Sequence, residues 1–315
     1  LMMKKLFLIV SVAVAVGMTG CKTARVESVQ TEPQVHPLAL ISDDLSIYMS
    51  VPVKKHQDLV SKIVCSVVNG MSESNAMTIC ERTDMLYSGL GTVKDRSRLE
   101  TASFTKVSKF EVGQVMTKKN GFDKETVLFD SGEMTKYKSN ASNFEIAFPS
   151  TKILCMSQNV NPMLDKFSQR CEVKETEYNK WISQKSDDIL FYITRPGQYL
   201  RNLIGQTVSV GTDVIYGSIS YLPDRKKPDQ YSGRYNLSFY IHLTNKKAAS
   251  ALNALLSLSF SMMGGSVTQT DPETLYLSDI EITDRQIAEL FTRDPITGKH
   301  YRVVGDEVIE ESVKK

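Results

Sequence analysis

The chain has 315 residues, 23% charged and 41% hydrophobic, an ordinary balance for a globular protein. With 38 basic against 36 acidic residues its formal charge is +2, so no global field steers it to nucleic acid or to an anionic surface. The length exceeds the usual span of one hydrophobic core, and two domains are expected.

The chain opens with Lys4 and Lys5, an apolar stretch from Leu6 to Val16, and then Gly17-Met18-Thr19-Gly20-Cys21. A membrane-spanning helix needs about 20 apolar residues, so this stretch is too short and has the form of a secretory signal. The lysines stay on the cytoplasmic side. Thr19 and Gly20 are small enough for a peptidase to approach, and Cys21 supplies a thiol that can be diacylated. Met18-Thr19-Gly20-Cys21 resembles the lipobox of bacterial lipoproteins, with Met18 standing where Leu is usual. The resemblance implies that residues 1–20 are a cleaved signal peptide and that Cys21 carries the lipid. Lys22, rather than Asp, in the next position implies the outer membrane. The resemblance ends at Cys21 and implies nothing about the folded part. Cleavage would remove Lys4 and Lys5 and leave 36 basic residues against the 36 acidic ones. Residues 21–40 contain Thr, Glu, Gln and prolines with little apolar periodicity, and are expected to form a flexible lipidated tether.

Residues 41–185 are predicted to form an N-terminal α+β domain. Apolar residues at Leu59/Val60, Ile63/Val64, Val67/Val68 and Met71 predict an amphipathic helix from Gln57 to Met71. Ser72 or Ser74 offers an N-cap for a second helix running through Leu86. Strands are predicted at 102–116, 126–130 and 143–148, with Asn120-Gly121 as a hairpin signal. Pro149 is expected to end the last of them. The segment after Cys155, with Asn159, Asn161 and Pro162, is expected to begin as a loop. A helix is predicted around Trp181, the single tryptophan, whose expected role is packing. The short spacings favour disulfides Cys65–Cys80 and Cys155–Cys171 in an oxidising compartment, each closing a loop worth about 3 kcal/mol by chain entropy. No CxxC occurs and the four histidines lie far from the cysteines, so no metal is expected.

Residues 186–315 are predicted to form a C-terminal α+β domain. Ile189, Phe191 and Ile193 alternate as a strand, followed by strands at 207–210, 213–222 and 233–243. The last alternates most clearly: Tyr235, Leu237, Phe239, Ile241 and Leu243 share one face, while Arg234, Asn236, Ser238, Tyr240 and His242 share the other. Strands 213–222 and 233–243 are expected to pair antiparallel through a basic, proline-bounded loop containing Arg225, Lys226 and Lys227, a candidate contact site. Residues 245–263 are predicted to form a helix, apolar nearly all round, buried against a sheet and stopped by Gly264-Gly265. A helix from Asp284 to Phe291 carries a capping box in Thr283 and Gln286. A terminal hairpin is predicted at His300–Val304 and Glu307–Glu311.

Catalytic signatures are absent from the sequence: GxSxG, HExxH, the phosphate loop and GxGxxG do not occur. Ser103-Phe104-Thr105-Lys106 matches SxxK, and Ser157-Gln158-Asn159 follows, as in penicillin-recognising enzymes. That serine must start a helix, whereas Ser103 sits in a strand-like run and no K[ST]G strand follows. His36, His56, His242 and His300 have no partner at catalytic spacing. The expectation is therefore an α+β fold of two modules, each an antiparallel sheet with segregated helices, on a lipid tether. The expected function is a non-enzymatic binding or scaffold component at the outer membrane, held to the membrane through Cys21. Arg234, Asn236, Ser238, Tyr240 and His242 form the candidate binding face for an envelope protein or glycan, with no cofactor and no nucleic acid. The alternatives are a lipid-anchored hydrolase with an unfamiliar site, and a lipid or small-ligand carrier using the apolar helix 245–263.

Overall fold

A computed structural model describes residues 35–311 apart from 68–71, 92–98, 108, 130–131, 141–143, 197–210, 228–229, 262–263, 293–299 and 305–306. The first half of the chain runs β1 (Ile47–Pro52), α1 (Gln57–Val67), α2 (Glu73–Glu81), β2 (Thr83–Leu90), β3 (Leu99–Thr105), α3 (Lys109–Val115), β4 (Phe122–Phe129), β5 (Gly132–Ser139), β6 (Glu145–Ser150) and β7 (Ile153–Ser157). It continues through α4 (Asn161–Ser168), α5 (Glu177–Ile182), β8 (Ile189–Ile193), β9 (Thr212–Leu222), β10 (Arg234–Leu243), α6 (Lys246–Ser261), β11 (Ser266–Asp271), β12 (Thr274–Thr283), α7 (Asp284–Thr292), β13 (His300–Val304) and β14 (Glu307–Glu311).

The fold is α+β, but the two expected sheet modules are one sheet. Twelve strands run in the order β11-β12-β10-β9-β8-β1-β2-β3-β7-β6-β5-β4, and β13 and β14 pair separately. The join is β1, which pairs antiparallel with β2 on one side and with β8 on the other: Ile47 lies opposite both Leu90 and Ile193. This pairing crosses the boundary placed at residue 185. Strand alternation announces that a segment is a strand but not which strand it will pair with.

Helices cover the two faces unequally. On one face, α1, α6 and α7 bury Leu59, Leu252, Leu256 and Ile287 against Ile215, Phe239, Ile241, Leu275 and Leu277. A Cβ at Gly217 would lie 2.2 Å from the Ser238 carbonyl oxygen and 2.6 Å from Phe239 Cα, so glycine lets the β10 backbone approach this closely. On the other face, residues 35–41, α4 and α5 pack Leu38, Ile41, Met163, Phe167 and Ile182 on Tyr48, Tyr87 and Tyr192. Residues 35–40, expected to belong to the tether, are thus partly core: Val35, Leu38, Ala39 and Leu40 are all buried. A small separate cluster lies under α3, around Val112, Tyr137, Ile146 and Phe148.

Local signals held where they were self-contained. Ser72 accepts from the Asn75 N–H and caps α2. Thr283 and Gln286 cap α7 reciprocally: the Thr283 N–H donates to Gln286 Oε1 at 2.8 Å and the Gln286 N–H to Thr283 Oγ1 at 3.2 Å. Asn245 caps α6 through the Ala248 N–H, and the terminal hairpin forms as expected. Where sheet pairing competes with local pattern, pairing wins. Met85 and Leu86, expected on a helix, lie on β2 between β1 and β3. The expected strand 102–116 divides into β3 and α3. Gly121, at φ 84°, ends a short turn before β4 rather than forming a hairpin. The segment after Cys155 is strand and then helix, and Pro149 lies inside β6 at its irregular end. The expected strand 207–210 lies outside the described residues.

The expected disulfides are not formed. Cys65, Cys80, Cys155 and Cys171 are all thiols. Cys155 is fully buried on β7 between Ala102 and Ala147, whereas Cys171 is only half-buried beyond α4. Cys65 and Cys80 do face the seam between α1 and α2, and burial pushes the Cys80 thiol up to about 11.

Candidate functional site

The candidate face on β10 lies in the half of the sheet that α4 and α5 leave open. Tyr235, Phe239, Ile241 and Leu243 are buried toward the helices, while Arg234, Asn236, Ser238, Tyr240 and His242 are half-buried on the opposite side. Cross-strand register extends this face into a row of tyrosines. Tyr48 lies opposite Tyr192, Tyr192 opposite Tyr216, Tyr216 opposite Tyr240, and Tyr240 opposite Tyr276. The rings of Tyr192 and Tyr216 stack at 5.7 Å and 14°, Tyr216 and Tyr240 at 5.1 Å and 19°, and Tyr240 and Tyr276 approach to 4.6 Å at 32°. Directly opposed positions are where aromatic pairs stabilise a sheet, by roughly 0.2–1 kcal/mol each.

Helix α5 covers one end of the row. Tyr178 stacks on Tyr48 at 4.1 Å, and Trp181 meets Tyr216 edge-on at 4.8 Å while donating from Nε1 to the Gly217 carbonyl at 3.3 Å. Trp181 therefore packs, and its contact marks where the covered part ends. Burial raises the Tyr192 and Tyr216 hydroxyls above the ordinary tyrosine value, so both stay neutral donors. Beyond Trp181, Tyr240 and Tyr276 are partly exposed.

Polar residues border the row on both sides. Ser218 and Ser238 lie opposite each other, then Ser220, Asn236 and Glu281, then Arg234 and Thr283, with the apolar Leu222 beside Arg234. A bulge at Asp279, with φ 61°, interrupts the ladder there, and Ser278 bridges Ser266 and Asp279. Arg234 reaches Glu281 at 3.4 Å, so its charge is locally answered. At the other border His242 Nδ1 lies 3.0 Å from Thr274 Oγ1, and Nε2 lies 4.0 Å from Asp213. Asp271 is held below the usual carboxylate range, chiefly by the Glu273 N–H and then by Thr274, with His242 nearby. The His242 side chain is 40% exposed on an open face, so no wall excludes water from this acid–imidazole pair.

Arg225, Lys226 and Lys227 are exposed on the β9–β10 connection, at the Arg234 end of the same hairpin. Asp224 accepts from the Lys226 and Lys227 N–H groups and fixes the turn, which holds its own carboxyl low. The loop thus adjoins the Arg234 end of the face, and His242 stands at the other end. Among the rejected motifs, Ser103 is buried on β3 and Lys106 reaches Asp84 at 3.9 Å. Cys21 lies outside the described residues.

The alternation of β10 was legible in the sequence; the tyrosine row was not, because it is assembled from strands distant in the chain. A second feature was missed entirely. A cavity of about 460 Å³ lies between α3 and the β4–β6 sheet, lined by Phe110, Lys124, Glu133, Met134, Tyr137 and Phe148. Phe110 is 74% exposed at its rim. Helix α6 is buried against the sheet as expected, but on one side only: Ala249, Leu252 and Leu256 are buried while the equally apolar Ala251, Ala254 and Leu255 are exposed. No helix among the described residues is long and apolar enough to cross a membrane.

A family model described as "Outer membrane-associated lipoprotein TP0453" matches residues 32–288. Solved structures of TP0453 are similar in fold. Crystal form I aligns with a TM-score of 0.64 at 14% identity over 82% of this chain and 97% of that one. Crystal form III aligns at 0.61 and 15% identity over 81% and 97%. No curated protein matches the sequence.

Proposed function

Since the chain belongs to the family of outer membrane-associated lipoproteins described as TP0453, we propose that it is a non-enzymatic binding component of that membrane, anchored by a lipid on Cys21. The open tyrosine row and its polar borders are the binding face, with Arg234, Asn236, Ser238, Tyr240 and His242 at its centre. The observation that carries the proposal is the uncovered continuation of the row, Tyr240 and Tyr276, past the point where Trp181 closes it. Tyrosine gives large rigid contact area at little cost in side-chain entropy, and serine and asparagine supply adaptable hydrogen bonds around it. The ring faces are engaged with one another, so ring edges and hydroxyls meet the partner. An envelope protein or a glycan fits that chemistry.

The test is a photo-crosslinking residue placed at Ser238 of the lipidated chain in living cells, with the same residue at Thr126 on β4 as control. An adduct at position 238 that is lost when Tyr240 and Tyr276 are replaced by Ala supports the proposal. Equal labelling at 238 and 126, or none at 238, overturns it.

A second function, carriage of a small ligand, draws support from the open cleft under α3, whose lining is half polar, with Lys124 and Glu133 beside Phe110 and Met134, and whose size lies within the range of small-molecule sites. Native mass spectrometry of protein extracted from the envelope would show a co-purifying small molecule, lost on Met134→Arg.

A further inference from the structure

The cleft under α3 carries charges and a hydroxyl that the fold itself leaves unused. Two adjoining hollows of about 460 Å³ each share Gly113, Lys124 and Tyr137, and form one groove between α3 and the β4–β5 ladder. Tyr137 is 7% exposed, and its hydroxyl stands under Gly113, 3.7 Å from where a Cβ would lie. That hydroxyl makes no hydrogen bond among the described residues, although Tyr137 lines both hollows. A buried hydroxyl without a partner costs free energy until a ligand or water supplies one. Lys124 lies opposite Tyr137 on β4, and Glu133 lies further back on the same face of β5. Neither forms an ion pair among the described residues, whereas their neighbours Glu125 and Lys136 pair at 3.3 Å.

Building on carriage of a small ligand by this same cleft, which it presupposes, we propose that the groove takes a short linear peptide, held by both free termini and one apolar side chain. The charges decide the class. Glu133 is the acidic end, matched to an α-ammonium group. Lys124 is the basic end; Lys118 and Asp123 line it too, so two lysines face one aspartate and an excess of positive charge is left for an α-carboxylate. Strand residues advance about 3.3 Å each, which sets Glu133 about 13 Å from the Lys124–Tyr137 pair. An extended chain advances about 3.3–3.6 Å per residue, so a peptide of about three or four residues reaches from one charge to the other. A free amino acid carries both charges on one α-carbon and cannot. A fatty acid or other single-headed amphiphile leaves Glu133 unmatched.

Between the two ends, Thr135, Gln114 and the Tyr137 hydroxyl line the groove and suit the amides of a peptide. Phe110, Met134 and Phe148 supply an apolar wall for a side chain, and Phe110, 74% exposed at the rim, would be covered by it. Lys124 and Glu133 are both exposed, so water screens each charge contact and neither is worth much alone. Selectivity therefore lies in having both at the right separation, and the peptide exchanges readily.

The experiment uses the lipidated full-length chain in phosphatidylcholine nanodiscs, with the Met134 methyl group as an NMR reporter of the groove. The probes are the tetrapeptide Ala-Phe-Ala-Ala, its N-acetylated and C-amidated forms, and decanoic acid. The free peptide is expected to shift the Met134 signal saturably, and each capped form to bind about three- to fivefold more weakly. Glu133→Gln is expected to abolish the cost of N-acetylation and keep that of amidation, and Lys124→Met to do the reverse. Each variant keeps one of the two preferences, which a variant that had lost its fold would not do. Tyr137→Phe is expected to weaken all three peptide forms alike. No shift with the free peptide, or equal affinity for free and capped forms, overturns the proposal. Decanoic acid is expected to bind less tightly than the peptide; tighter binding assigns the cleft to a single-headed acid, and the proposal falls. Any of these failures leaves carriage of another small ligand standing, whereas carriage itself falls only if no small molecule co-purifies from the envelope.

Discussion

The buried ion pair on β5 and β6 offers the sharpest energetic test of the fold. Lys136 and Glu145 have side chains only 7% and 10% exposed and lie 2.9 Å apart. Glu145 also accepts from the Val160 N–H at 3.0 Å, and Lys136 has a second, half-exposed partner in Glu125 at 3.3 Å. Val160 is fully buried where α4 begins, so no water can replace that acceptor. Removing one member of a buried pair costs about 3–5 kcal/mol, and orphaning a buried N–H about 1–3 kcal/mol. Glu125 remains to answer part of the Lys136 charge in Glu145→Ala, which lowers the first figure. A net loss of about 4 kcal/mol is therefore expected for that variant. Glu145→Gln keeps an acceptor for Val160 and should lose less, about 2–3 kcal/mol. Urea unfolding followed by Trp181 fluorescence measures both, as a fall in midpoint at unchanged slope. A loss under about 1 kcal/mol for Glu145→Ala would refute the reasoning, because it would mean that water already solvates the pair. The alkaline limb gives an independent check. Burial opposes the Lys136 charge, but Glu145 and then Glu125 outweigh it and hold its pKa above the ordinary 10.5. A folded pKa above the unfolded one gives stability that is complete below pH 10.5 and is lost as pH rises through the folded value. Lys136→Met should remove that alkaline loss.

Other outcomes follow from the same structure. His56 is buried, with Nε2 2.9 Å from the Asp187 carbonyl and Nδ1 without a partner, and burial lowers its pKa below 6.5. The unfolded chain then binds the proton more readily, so stability should be complete above pH 6.5 and fall as pH drops through the folded pKa; His56→Gln should flatten that slope in acid unfolding curves. Leu252→Ala, at the buried seam of α6, should cost about 2–5 kcal/mol, whereas Leu255→Ala on the same helix should stay within about 0.5 kcal/mol for the dilute single chain, both read as urea midpoints. Cys21→Ser should move the protein from the membrane fraction to the soluble fraction; retention in the membrane would remove the lipid anchor from the proposed function.

Some features of this protein are properties of contiguous residues and were complete in the sequence. The motif Met18-Thr19-Gly20-Cys21, the capping box of Thr283 and Gln286, and the terminal hairpin need only neighbours in the chain. The period-2 alternation of β10 likewise separated Tyr235, Phe239, Ile241 and Leu243 from Arg234, Asn236, Ser238, Tyr240 and His242 before any partner was known. Tertiary structure decided the rest, because strand pairing is non-local and alternation names a face without naming a neighbour. It joined β1 to β8 and so made one sheet of two expected ones. It drew Met85 and Leu86 out of a helix into β2, and turned residues 109–115 from strand into α3 over its cavity. Above all it aligned Tyr48, Tyr192, Tyr216, Tyr240 and Tyr276, which sit on separate strands scattered through the chain, into one row with α5 closing one end. Each tyrosine alone is an ordinary strand residue; only register, set by backbone hydrogen bonds between distant segments, makes them a surface.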